Sequence, residues 1–112
     1  MRLLNIQQSS PLPTLGILTN VVELPHYEMI YIYHHLQSGQ PVELRREENH
    51  IFDRSAIAVY FKGFKLGYIS NRINGLISQK IDAGKAVTAS IRNITKQKYM
   101  PLSGLELELK VM

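Results

Sequence analysis

The chain has no cysteine. Its absence excludes a disulfide framework, a thiolate metal site and a cysteine nucleophile. Long apolar runs are missing too: nothing approaches the roughly 20 residues that a membrane-spanning helix needs. The first ten residues carry Arg2 but neither an extended apolar stretch nor a small-residue cleavage site. They do not read as a signal peptide, and a cytoplasmic protein is the expectation. Internal repeats are absent. Of the four histidines, His34 and His35 are adjacent and point apart on a helix, while His26 and His50 stand singly. No His/Asp/Glu set has the spacing of a metal site, so neither a metal nor another cofactor is expected. No serine has the strand-turn-helix surroundings of a nucleophile elbow. The carboxylates Glu47, Glu48 and Asp53 share one loop without a partner signature. The reading is therefore a protein that is not an enzyme.

What is present is ordinary for one globular domain: 112 residues, 45% hydrophobic and 20% charged. The net charge of +4 conceals an asymmetry. Residues 1–53 carry three basic and six acidic side chains, whereas residues 54–112 carry ten basic and three acidic. Within residues 54–98, Asp82 is the only acid. A polyanionic partner would account for that segment, and so would a solvated Lys/Arg face.

Residues 1–14 read as a leader or linker, with two prolines, two serines and two glutamines in the stretch NIQQSSPLPT. Residues 15–112 read as the domain. A strand is expected over residues 15–24, stopped by Pro25. Residues 28–36 place Met29, Ile32, Tyr33 and Leu36 at helical spacing, with Gly39 and Pro41 ending the helix, although the β-rich run 30–33 also allows a strand. Residues 42–46 alternate as a half-buried strand, and residues 47–55 are a polar loop. Residues 56–61 and 64–69 form a hairpin around Lys62-Gly63. Ser70 is the expected N-cap of a helix with the stripe Ile73, Leu76, Ile77 and Ile81, ended by Gly84. Residues 87–92 and 105–111 alternate as strands. The sum is a mainly β (α+β) domain: a small, partly closed barrel of about six strands with two short helices.

Residues 44–69, LRREENHIFDRSAIAVYFKGFKLGYI, resemble the signature of the HIRAN domain. The elements that carry the likeness are Arg46-Glu47, Asn49, Phe52-Asp53, Ala56-Ile57-Ala58-Val59 and Leu66-Gly67-Tyr68, followed by a helix ending in Asp82-Ala83-Gly84. The similarity extends over residues from about 17 to 112. It implies an OB-like barrel and a non-catalytic module that binds single-stranded DNA, at free 3′-OH ends, in DNA repair or replication. Eukaryotic members stand at the head of fork-remodelling ATPases, and the family also has stand-alone microbial members, which this chain resembles. No Gly-rich phosphate loop with Lys-Ser/Thr is present, so any motor, helicase or nuclease would act in trans.

The same resemblance nominates a DNA-binding set. The matching Asp of the family meets a terminal 3′-OH, which implies that role for Asp53. A carboxylate accepts from a hydroxyl and repels phosphate, so it can tell a strand end from a strand interior. An Asx-type turn residue is the alternative for Asp53. Phe52 offers a ring for base stacking where the family usually has Tyr; a core aromatic is the alternative. His26 and Tyr27 supply flat rings after the first strand, with Pro25 in place of a cation. Asn49 lies in the loop beside His50-Ile51, where the family tends to have Asn-Pro. Tyr68 can face the groove or the core, and Gly67 admits a neighbouring backbone or a ligand. Tyr99, in Tyr99-Met100-Pro101-Leu102, is a candidate groove wall. Arg46, Arg54, Lys65, Asn71 and Arg72 are candidates for phosphate contacts. A second reading from another class is a barrel that holds a protein partner and does not recognise DNA ends, which the departures at Pro25, His50 and Ile51 would suit.

Overall fold

The computed structural model describes residues 16–24, 32–97 and 100–112. The expected leader, most of the 28–36 helix, and the candidates His26, Tyr27 and Tyr99 lie outside them. Among the described residues six strands form the fold: β1 (Gly16–Val22), β2 (Pro41–Arg46), β3 (Ile57–Phe61), β4 (Phe64–Ile69), β5 (Val87–Gln97) and β6 (Met100–Val111). All pairings are antiparallel, and the ring β1-β4-β3-β2-β5-β6 is a closed barrel. Closure goes beyond the partly closed barrel that the sequence suggests. Register shifts on β3 and at two places on β5 help to bend these strands around the ring.

The local chemistry of the hairpin is as expected. Lys62 (φ 49°) and Gly63 (φ 86°) both adopt positive φ, which a two-residue turn of this hand requires. Phe61 and Phe64 pair directly across it. On β6, Leu105, Leu107 and Leu109 point into a core shared with Ile57, Val59, Leu66, Ile69 and Ile91. Glu106 and Glu108 between them are half-buried. Val42 and Leu44 of β2 pack against the core, while Glu43 and Arg45 face out as an ion pair.

One α-helix, α1 (Asn74–Asp82), follows β4. It starts later than Ser70 would place it, and Ile73 occupies its N-cap without a side-chain bond. Ser70 instead organises a preceding turn. Its carbonyl accepts from Ile73 and Asn74, and its hydroxyl accepts from the Arg72 N–H. Ile77 is buried and Ile73 and Ile81 are half-buried, whereas Leu76 is 53% exposed and does not belong to the inward stripe. The helix stops as expected. Gly84 takes φ 84°, its N–H reaches the Ile81 carbonyl, and the Lys85 N–H reaches Lys80, a Schellman closure. Of the 28–36 helix, the described end is a 3-10 turn (Tyr33–His35) flanked by buried Ile32 and Leu36.

Candidate functional site

The polar loop 47–55 joins β2 to β3, and hydrogen bonds rather than apolar contacts give it shape. The Glu47 N–H donates to the Ala56 carbonyl, the His50 N–H to Glu47, and the Ala56 N–H to Asp53. His50 Nδ1 accepts from the N–H groups of Phe52 and Asp53, both at 3.2 Å. Asp53 Oδ1 accepts from the Ser55 N–H at 2.8 Å, so the Asx-turn role holds. Asp53 Oδ2 accepts from Asn74 Nδ2 at 2.7 Å. Asn74 is the first residue of α1 and only 5% exposed, so the buried amide pins the carboxylate from below. The hydrogen bonds from Asn74 and then from Ser55 hold Asp53 below the ordinary carboxylate range, and it is ionised at neutral pH. Each of its oxygens keeps capacity for a further donor.

Phe52 is 87% exposed and Ile51 86% exposed, so Phe52 is no core anchor. Its ring stands over a groove of about 570 Å³ lined by Val22, Glu23, His50, Asp53, Tyr68 and Asn71, among others. The opposite wall comes from the β1–β4 seam, where Val22 pairs with Tyr68. Gly67, at φ 151°, makes that seam possible: a Cβ there would collide with the Val22 carbonyl and the Val21 side chain. The close approach at Gly67 is thus to a neighbouring backbone.

Phe52, Asp53, Tyr68 and Asn71 therefore meet in one groove, joined by His50 and Asn74. Arg54 and Asn49 line a separate hollow on the outer side of the loop, with Glu48 and Ile51. Arg72 is exposed on the turn after β4. Two cations among the phosphate candidates are already engaged. The side chain of Arg46, 14% exposed, makes a two-pronged bond to Asp82 and donates to the carbonyls of Arg54 and Ala56. Lys65 bonds both Glu47 and the Tyr68 hydroxyl, and that hydroxyl donates to Glu47 at 2.8 Å. Burial works against the charge of Lys65, but the bonds to Tyr68 and Glu47 outweigh it and raise its pKa. Burial likewise opposes ionisation of Glu47, and the donors Lys65 and Tyr68 outweigh it and lower its pKa. Arg54 and Arg72 are exposed and form no ion pair among the described residues.

Among the described residues, the groove lining therefore holds Glu23 and Asp53 and no lysine or arginine. Such a seat suits a group that donates hydrogen bonds and presents a flat face, with phosphates kept outside it. Sequence reasoning missed Asn74 as a partner of the loop, because nothing in the chain signals a contact across 21 positions. It also missed Glu23, which turns the chain at φ 58° at the groove rim. No group of three or more His, Asp or Glu among the described residues could hold a metal ion. No described helix is long and apolar enough to cross a membrane.

No curated protein matches the chain. Among solved structures, a protein from Lactobacillus plantarum is similar, with a TM-score of 0.74 and 25% identity, over 88% of this chain and 95% of that one. The HIRAN domain of human HLTF shares the fold, with a TM-score of 0.67 and 17% identity over 86% of this chain and 74% of that one. The model of the HIRAN domain matches residues 17–112, a span that takes in all of the barrel but its first residue, together with the 47–55 loop and the groove between them, and by that match the chain belongs to the HIRAN domain family.

Proposed function

We propose that the chain is a non-catalytic module that binds single-stranded DNA at free 3′-OH ends, in DNA repair or replication. One observation carries the reading: an exposed aromatic face and an ionised carboxylate, adjacent in sequence, share a groove whose lining, among the described residues, has no lysine or arginine. The terminal nucleoside enters that groove. Its base stacks on Phe52, a contact worth about 1–3 kcal/mol and tolerant of base identity. Its 3′-hydroxyl donates to Asp53, a charge-assisted bond worth about 1.5–3 kcal/mol. Interior nucleotides lack that donor, and a 3′-phosphate brings an anion against Asp53 and Glu23. The phosphates behind the terminus run over the surface that carries Arg54 and Arg72, which position the strand without reading it. HIRAN membership and the fold shared with the human HLTF domain support a DNA-binding role for the chain.

The test is a pair of oligonucleotides that differ only at the 3′ end, followed by fluorescence anisotropy at one salt concentration. The 3′-OH strand is expected to bind at least about tenfold better than its 3′-phosphorylated twin, a difference of about 1.4 kcal/mol. Equal affinities would overturn end recognition. Binding insensitive to salt would overturn the nucleic-acid reading and turn attention to a protein partner.

A further inference from the structure

His50 holds main-chain donors with a ring nitrogen. Its Nδ1 accepts from the N–H groups of Phe52 and Asp53, the two residues that supply the aromatic face and the carboxylate. A nitrogen that accepts carries no proton, so the proton of the neutral ring sits on Nε2. Edge-on contacts fix the ring: its centroid lies 5.4 Å from that of Tyr68 and 6.1 Å from that of Phe52. We propose that His50 is a positioning residue of the groove: as a neutral imidazole it sets the backbone beneath Phe52 and Asp53, and a proton on Nδ1 releases that backbone and weakens strand binding. The binding half of this inference rests on the proposed function; the loop half does not.

The second proton can go only to Nδ1, where it would face two N–H groups. The charged surroundings pull both ways. Glu47, Glu48 and Asp53 of the same loop, with Glu23 at the β1 rim, favour a cation. Arg46 at the end of β2, Arg54 of the loop and Lys65 of β4 oppose it. The Tyr68 hydroxyl is committed to Glu47 and Lys65. A proton on Nδ1 would point at the two N–H groups, so a cationic ring leaves the cap even though Glu47 and Asp53 lie close enough to favour its charge. The change is therefore between two discrete arrangements. Asp53 and Glu47 are held below the ordinary carboxylate range and Lys65 above its own, so none of the three changes charge just below neutrality.

The decisive variant is His50→Asn. An asparagine oxygen accepts the same two N–H groups and does not titrate. His26, His34 and His35 remain in both proteins, so any difference belongs to position 50. Isotope-labelled free protein is followed by NMR from about pH 7.5 to about pH 5.5, the range in which imidazoles commonly titrate. In the wild type the Phe52 and Asp53 amide signals are expected to move together with the His50 ring nitrogens; in His50→Asn they stay in place. A 3′-OH oligothymidylate, whose bases do not titrate in this range, is expected to lose at least about tenfold in affinity for the wild type and little for the variant. Wild-type amides that ignore the His50 titration would overturn the inference whatever the binding data show. Amides that follow it, with the same loss of affinity in both proteins, would overturn the link to binding. Failure of the wild type to bind even at the higher pH would sink the proposed function and the binding half with it, and the amide titration would still decide the loop half.

Discussion

The barrel wall and the 47–55 loop are built on opposite principles. Along β6 the order comes from burial: Leu105, Leu107 and Leu109 are each at most 1% exposed, and their apolar surface holds the strand in register. Along the loop the order comes from direction. Ile51 and Phe52 are exposed and contribute little burial, while His50, Asp53 and Asn74 fix the backbone by hydrogen bonds. Burial is collective, so a loss in the wall spreads through the whole domain. Directional bonds are individual, so a loss in the loop stays local. The difference assigns stability to one region and, under the proposed function, recognition to the other.

The strongest way to break this division is in the wall. Leu107→Ala is expected to lower stability by about 2–5 kcal/mol in a single cooperative transition, measured by chemical denaturation. A cost near zero would mean that Leu107 is not a core residue. In the loop, Phe52→Ala should leave stability within about 0.5 kcal/mol of the wild type, because the ring is almost fully exposed. It should nevertheless weaken single-stranded DNA binding by about 1–3 kcal/mol, equally for 3′-OH and 3′-phosphate strands. Asp53→Asn sharpens the comparison further. Its amide oxygen can still accept from Ser55, and Asn74 can turn its own amide to match, so the loop holds while the anion is gone. The preference for a 3′-OH over a 3′-phosphate, expected to be at least about 1.4 kcal/mol in the wild type, should shrink in anisotropy titrations. The smallest effect belongs to the outer cations. Replacing Arg54 or Arg72 by Gln should reduce the slope of log K against log salt by about 0.7 for each phosphate that is no longer neutralised.

Much of the wall was legible in the sequence because its signals are local. The alternation of residues 105–111, the Lys62-Gly63 turn and the Gly84 stop each depend on neighbours a few positions away. Closure of the ring was not legible, since it depends on β1 finding both β4 and β6. Ser70 and Leu76 misled for a related reason. The seat of α1 is decided by what Asn74 and Ile77 reach, and Asn74 reaches a loop 21 positions back. In the loop, the Phe52-Asp53 pair could be singled out by chemistry. Arg46 read as a candidate phosphate contact, and its bond to Asp82, 36 positions away, had no signal in the chain. The His50 cap was invisible for another reason: histidine is not among the side chains that usually hold backbone N–H groups.

Closure of the ring has a consequence for how such a protein can diverge. Around the barrel each strand is hydrogen-bonded to a neighbour on both sides through peptide groups that almost every residue type supplies. Among the described residues no strand stands at the end of the sheet, which limits recruitment of a peptide by strand addition and favours selectivity held in side chains and in the connecting loops. The scaffold can therefore exchange most of its residues while its pairing persists, provided the inward positions stay apolar. The Lactobacillus plantarum protein fits this: one quarter identity accompanies a TM-score of 0.74. Evolution can thus retune the loop over residues 47–55 without renegotiating the frame that carries it.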